Sequence, residues 1–153
     1  MHVVFLGPPG SGKGTQAKLL AEGLRVPDIA TGEMLRTAVL EGTPLGGKVK
    51  VVMEAGDLVP DDLMIELIRE RIAAPDAADG FVLAGFPRTV DQALALERIL
   101  NGNEKSVDVV VNLAVPEAVL IDRLAGRSGQ EHRTDDGRHT VLERLKVTSA
   151  VSW

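Results

Sequence analysis

The sequence predicts an α/β fold, a mostly parallel sheet with helices on both faces. Three observations lead there. Four short apolar runs alternate with stretches of helical spacing. Two of those runs end in glycine turns, "GPPGSGKGT" after "HVVFL" and "GFPRT" after "GFVLA". The length, 153 residues, suits one domain with a single sizeable core.

The elements follow in order. Val3 to Leu6 is apolar, holds a β-branched pair and stops at glycine and proline, as a buried strand does. Gln16 to Leu24 carries Ala17, Leu19, Leu20, Ala21 and Leu24 at helical spacing. Val26 to Ala30 is a short second strand, and Thr31 caps a helix running to about Glu41. "GTP" breaks that helix, and a third fills Leu45 to Ala55. Asp61 and Asp62 place carboxylates at the positive end of a fourth, whose apolar stripe is Leu63, Met64, Leu67, Ile68 and Ile72.

"GFVLAGFPR" is a strand entering a glycine-proline turn. Thr89 and Gln92 then have capping-box spacing for the next helix. Val107 to Leu113 is the most strand-like run. Pro116 opens a helix with Val119, Leu120 and Leu124 inward. Gly126 to His139 reads as a polar, glycine-broken loop, and "TVLERLKV" returns to helix. In parallel α/β sheets ligands lie at the carboxyl ends of strands, where both glycine turns fall.

Composition narrows the function classes. The net charge is −5, so the chain is not built to grip nucleic acid or an anionic membrane. Aromatic residues are only 3%, which leaves little for base stacking. There is no cysteine, so disulfides, thiolate metal sites and a cysteine nucleophile are excluded. No apolar run approaches membrane-spanning length, and no basic leader precedes the first strand; a cytoplasmic protein is expected.

Gly7, Gly10, Gly12 and Lys13 fit G-x-x-x-x-G-K, the phosphate-binding loop. Its glycines permit positive φ and let backbone N–H groups approach an anion. The helix that follows points its positive end the same way. Lys13 adds a point charge that can follow a phosphoryl group. The strict pattern wants a hydroxyl directly after the lysine; here Gly14 stands there and Thr15 follows.

Gly14 followed by Thr15 resembles the nucleoside monophosphate kinases, specifically the adenylate kinase family. "TGEMLR", "AGDLVPDDLMIELIRERI", "GFVLAGFPRT" and "DRLAGR" resemble that family at similar spacings, so the likeness covers Met1 to Arg127. The resemblance implies a single P-loop kinase domain over 1–153, with an AMP-binding helical subdomain at 31–60 and a short lid at 127–137. It implies ATP and AMP as partners, with magnesium accompanying ATP.

The loop residues Gly10, Ser11, Gly12, Lys13, Gly14 and Thr15 would hold ATP phosphates, with Arg123 near the ATP base and Arg127 near the transferred phosphoryl. Arg36 and Arg88 would hold the AMP phosphate. Thr31, Gly32, Gly85 and Gln92, with Asp57, Leu58 and Val59, would hold its adenine. Arg133 and Arg144, flanking Asp135 and Asp136, resemble the family's lid pattern and would join Lys13, Arg88 and Arg127 around the transferred group.

Two departures bear on activity. The family carries aspartate where this chain has Ala84, and that aspartate orders water on magnesium. Magnesium is then left to nucleotide phosphates, water and Glu33, with no protein ligand assigned. The family also continues with a further strand and helix, whereas this sequence stops at Trp153. A sheet without that strand has an open edge beside Val107 to Leu113, and weakened ATP binding is expected.

The expectation is therefore an adenylate kinase-like phosphotransferase with impaired activity, a monomer with a sheet edge open to dimerisation. A degenerate nucleotide-binding protein, or a kinase for another small phosphorylated or phosphonate acceptor, are the alternatives.

Overall fold

The computed structural model describes residues 1–131 except 58, with the backbone alone at 45 and 127–131. The described elements run β1 (His2–Leu6), α1 (Lys13–Leu24), β2 (Asp28–Ala30), α2 (Thr31–Leu40), α3 (Pro44–Ala55), α4 (Asp61–Ile72), a 3₁₀ turn (Pro75–Ala77), β3 (Phe81–Ala84), α5 (Val90–Asn101), β4 (Val109–Asn112) and α6 (Glu117–Glu131). The four strands form one parallel sheet in the order β2-β3-β1-β4. The predicted α/β fold is the observed one. No described helix is long and apolar enough to cross a membrane.

The chain divides into two compact units. The first is Met1–Leu6, Gly12–Thr31 and Pro60–Leu113, and the second Gly7–Ser11, Gly32–Val59 and Ala114–Trp153.

The first unit holds the sheet. Strand residues alternate between faces. Val3, Phe5, Val82 and Ala84 pack with Ala17 and Ala21 of α1, while Leu20, Leu24 and Val26 lie against the same cluster. Val4, Phe81 and Leu83, on the opposite face, are equally buried. Both faces of β1 and β3 are therefore covered, which suits their near-continuous apolar runs. Leu19 is 58% exposed, outside the face of α1 that carries Ala17, Leu20, Ala21 and Leu24.

α4 buries Met64, Ile68 and Ile72 at i, i+4, i+8, and α5 buries Ala95, Leu96 and Leu100. Arg71 forks onto Asp76 at 2.8 and 2.9 Å, tying the end of α4 to the 3₁₀ turn. That guanidinium holds the Asp76 carboxyl below its usual range.

β4 is a strand but not a buried one. Val109 and Val110 are 43% and 56% exposed, and among the described residues no strand pairs with its outer side. The apolar run marked the element, yet its place at the edge sets its exposure. The His2 N–H donates to Asp108 Oδ2 at 2.7 Å, and the Asp108 N–H returns a bond to His2 O at 2.9 Å. These bonds start the β1–β4 pairing, and the His2 N–H holds the Asp108 carboxyl below its usual range.

In the second unit, Thr43 caps α3: its hydroxyl accepts from Gly46 N at 3.0 Å and donates to Ala38 O at 3.1 Å. Pro44 sits at the first helical position. Gly46 lies so close to the Ala38 carbonyl that a Cβ would collide with it. In α6, Leu120 and Leu124 are buried beside Val115 and Ile121, as expected, whereas Val119 is 39% exposed. The polar loop expected from Gly126 is also corrected: α6 continues through to Glu131 despite Gly126 and Gly129. The remainder of that loop, the "TVLERLKV" helix and Trp153 lie outside the described residues.

Candidate active site

The phosphate-loop residues show the backbone that the glycines predict. Gly7, Gly10 and Gly12 have φ of 152°, 80° and 88°. In the first unit, Gly12 is the N-cap of α1, and no side chain caps that helix. α1 begins at Lys13, three residues earlier than the apolar spacing suggests, because the cap is a backbone device without a hydrophobic signal. Neither Gly12 nor Gly14 has any atom within 4 Å of where a Cβ would be. A helix start without a side-chain cap, with a lysine and a threonine beside it in sequence, has the chemistry that suits an anion.

In the second unit, the Ser11 N–H bonds Pro8 O at 3.2 Å and closes a tight turn. The Ser11 hydroxyl is buried and has no hydrogen-bond partner. A buried hydroxyl without a partner costs about 1–3 kcal/mol, and a phosphate oxygen would supply one. Gly10 has a second constraint that the motif does not reveal. A Cβ there would meet Leu124 Cγ at 3.0 Å and Leu120 O at 3.3 Å, so its bareness also lets α6 approach. Arg123 Nη1 donates to Gly10 O at 3.4 Å, which brings this predicted residue onto the loop. Also in this unit, Arg36 folds back over Gly32: a Cβ on Gly32 would lie 3.0 Å from its Nη1. Asp57 is exposed and Val59 buried.

The first unit brings together Thr31, Gly85, Arg88 and Gln92, four residues predicted from three separate segments. Thr31 does not cap α2 from outside but is its first residue. Its buried hydroxyl donates to Ala84 O at 3.4 Å, joining the ends of β2 and β3. Gly85 has φ 90°, and a Cβ on it would collide with Thr31 Oγ1. Arg88 Nε donates to Gly85 O at 2.8 Å across the cis Phe86–Pro87 turn. Gly85→Ala is therefore expected to destabilise the protein by more than the ~1 kcal/mol of an ordinary glycine-to-alanine conflict. Urea denaturation checks this, and a loss of under 0.5 kcal/mol, roughly the spread of ordinary surface changes, would refute it.

Thr89 caps α5 as predicted, its hydroxyl accepting from Gln92 N at 3.1 Å. The reciprocal half of the capping box is displaced by one residue: Gln92 Oε1 accepts from Arg88 N, at 2.7 Å, rather than from Thr89 N. Gln92 Nε2 donates to Asp61 Oδ1 at 2.7 Å, and Thr89 Oγ1 donates to Asp61 Oδ2 at 3.3 Å. Sequence reading placed Asp61 only as a helix-start carboxylate. A partner 31 residues away leaves no local signal.

Ala84 ends β3, opposite Phe5 and Ala30 in the two flanking strands, and is 4% exposed. Its methyl group packs in the apolar cluster. Among the described residues no three acidic or histidine side chains gather into a metal site. Leu58, Arg133, Asp135, Asp136 and Arg144 lie outside the described residues, as does the side chain of Arg127.

The adenylate kinase family model matches residues 5–152. The chain belongs to the adenylate kinase family. It is 50% identical over 144 residues to the adenylate kinase of Leptospira biflexa, a match covering 94% of this chain and 77% of that protein. It is also 50% identical over 147 residues to the adenylate kinase of Mycobacterium tuberculosis, covering 96% and 79%. A third, from Methanothrix thermoacetophila, is 44% identical over 173 residues, covering 96% and 80%. Membership of the adenylate kinase family makes the chain a nucleoside monophosphate kinase, a phosphotransferase.

Proposed function

We propose that the chain transfers the γ-phosphoryl of ATP, reversibly, to AMP, giving two ADP. The observation that carries this reading is the conjunction of an uncapped, open phosphate-loop helix start at Lys13 with the Thr31–Gly85–Arg88–Gln92 cluster at the end of β3. One cluster suits a phosphate chain and the other a nucleoside monophosphate.

The acceptor is already an anionic phosphate oxygen, so no general base is required. The chain's own work is to position two anions and to neutralise their charge. Lys13 and the N–H groups of Gly12, Gly14 and Thr15, with those of Gly10 and Ser11, are assigned to the ATP phosphates. Arg36 and Arg88 are assigned to the acceptor phosphate, and Thr31, Gly32, Asp57, Leu58, Val59, Gly85 and Gln92 to its base. Arg123 is assigned to the ATP base, and Arg127, Arg133 and Arg144 to the moving phosphoryl. Residues 31–60 act as the acceptor subdomain and 127–137 as a lid. Magnesium accompanying ATP would supply charge neutralisation there. The chain works in the cytoplasm as a monomer.

The test is ADP formation from AMP plus MgATP, resolved by chromatography, with Lys13→Ala as blank. ADP above that blank supports the reading. None, with AMP still bound, would make the chain a nucleotide-binding protein without turnover. Turnover with another phosphorylated acceptor but not AMP would move the assignment to that acceptor.

A further inference from the structure

We propose that Asp61 is a positioning residue that selects the base of the acceptor nucleotide, by fixing which way the Gln92 amide faces. This rests on the acceptor reading above and extends it to a residue outside the predicted site.

A glutamine amide has two N–H donors and a carbonyl oxygen with two lone pairs, and its two ends are nearly the same shape. Its orientation is decided by its partners. Gln92 is 2% exposed, so those partners come from the protein. At one end stands the Arg88 main-chain N–H, which can only donate, 2.7 Å from Oε1. At the other stands the Asp61 carboxylate, which can only accept, 2.7 Å from Nε2. Both ends dictate the same orientation. A flipped amide would face donor with donor and acceptor with acceptor. The Thr89 hydroxyl holds the second Asp61 oxygen at 3.3 Å, so the carboxylate is itself anchored.

Those two bonds use one N–H and one lone pair, leaving one of each. The remaining pair is an acceptor at the oxygen and a donor at the nitrogen. It complements an edge that offers a donor beside an acceptor, as the N6 amine and N1 of adenine do. Hypoxanthine, otherwise the same shape, offers O6 and N1–H, the reverse order, and would need the flipped amide. A polar site with fixed donors and acceptors rejects the mismatched ligand strongly, because its own groups are left unpaired.

Asp61→Asn separates this role from a structural one. Asparagine has the same shape but can turn either its oxygen or its nitrogen toward Gln92, so one of the two locks opens. The affinities of AMP and IMP are measured by calorimetry, which needs no turnover. In the unaltered protein AMP should bind at least about 100-fold tighter than IMP. In Asp61→Asn the AMP affinity should stay within about threefold while IMP tightens, so the ratio falls about tenfold.

Asp62→Asn serves as the control: it removes the same charge from the exposed neighbouring position at the start of α4 but leaves the Asp61 carboxylate facing Gln92, so the ratio should stay within about twofold. AMP and IMP weakening in parallel in Asp61→Asn, or an unchanged ratio, would overturn the proposal. So would equal binding of AMP and IMP by the unaltered protein. Binding of neither nucleotide would instead overturn the acceptor reading beneath it.

Discussion

Lys13→Ala is expected to lower ADP formation by about 10²–10³-fold, the usual effect of removing one fixed donor from a site of developing charge. Lys13 is the first residue of α1, directly after a positive-φ glycine, on a helix whose first turn has no side-chain cap. In the proposed reading, its charge and the helix N-terminus serve the same anion. The substitution removes the mobile charge while leaving the fixed N–H groups. Nucleotide binding should weaken less than turnover, because a phosphoryl in transit demands more neutralisation than a bound phosphate. Single-turnover rates and ATP affinity together test this. A loss confined to ATP affinity, with the single-turnover rate of the bound complex unchanged, would show that Lys13 contributes uniform binding only. Alanine is a good helix former, so the fold should survive and Tm should move little.

Ala84→Asp is expected to raise the rate, by about 10–100-fold at limiting magnesium, the range associated with an outer partner of a metal site. The resemblance places a water-ordering aspartate here, and the structure shows what replaces it. A methyl group at the carboxyl end of β3 packs with Val3, Phe5, Ala17, Ala21 and Val82. The same burial sets a cost. A carboxylate at a position only 4% exposed loses hydration. The variant should therefore melt lower than the parent without nucleotide and regain part of the difference with magnesium and ATP present. Two measurements decide it: the rate across a magnesium titration, and Tm with and without MgATP. A rate no higher at any magnesium concentration would remove Ala84 from the account of activity.

Particular elements show why some features were legible in the sequence. The strand of Phe81 to Ala84 is short, wholly apolar and bounded by Gly80 and Gly85, so its existence could be inferred. The phosphate loop was readable because glycine and lysine at fixed spacing leave few conformations open to the backbone. Thr89 as a cap was readable because capping is a contact over three residues. Val119 was misplaced because helical spacing identifies an apolar stripe but not which edge of it the neighbouring element covers. The extent of α6 was missed because polar residues and single glycines weaken a helix signal without forbidding the helix.

What the sequence determined by itself was local: the alternation of strand and helix, the positive-φ turns at Gly7 to Gly12 and Gly85, and the Thr89 cap, each set by side-chain shape and hydrogen bonding within a few residues. What only the tertiary structure decided was pairing over distance. It seated Leu124 against Gly10 and carried Asp61 to Gln92 across 31 positions. Such contacts depend on where whole elements come to rest. That is set by the summed burial of many apolar groups, so no single residue's spacing announces it.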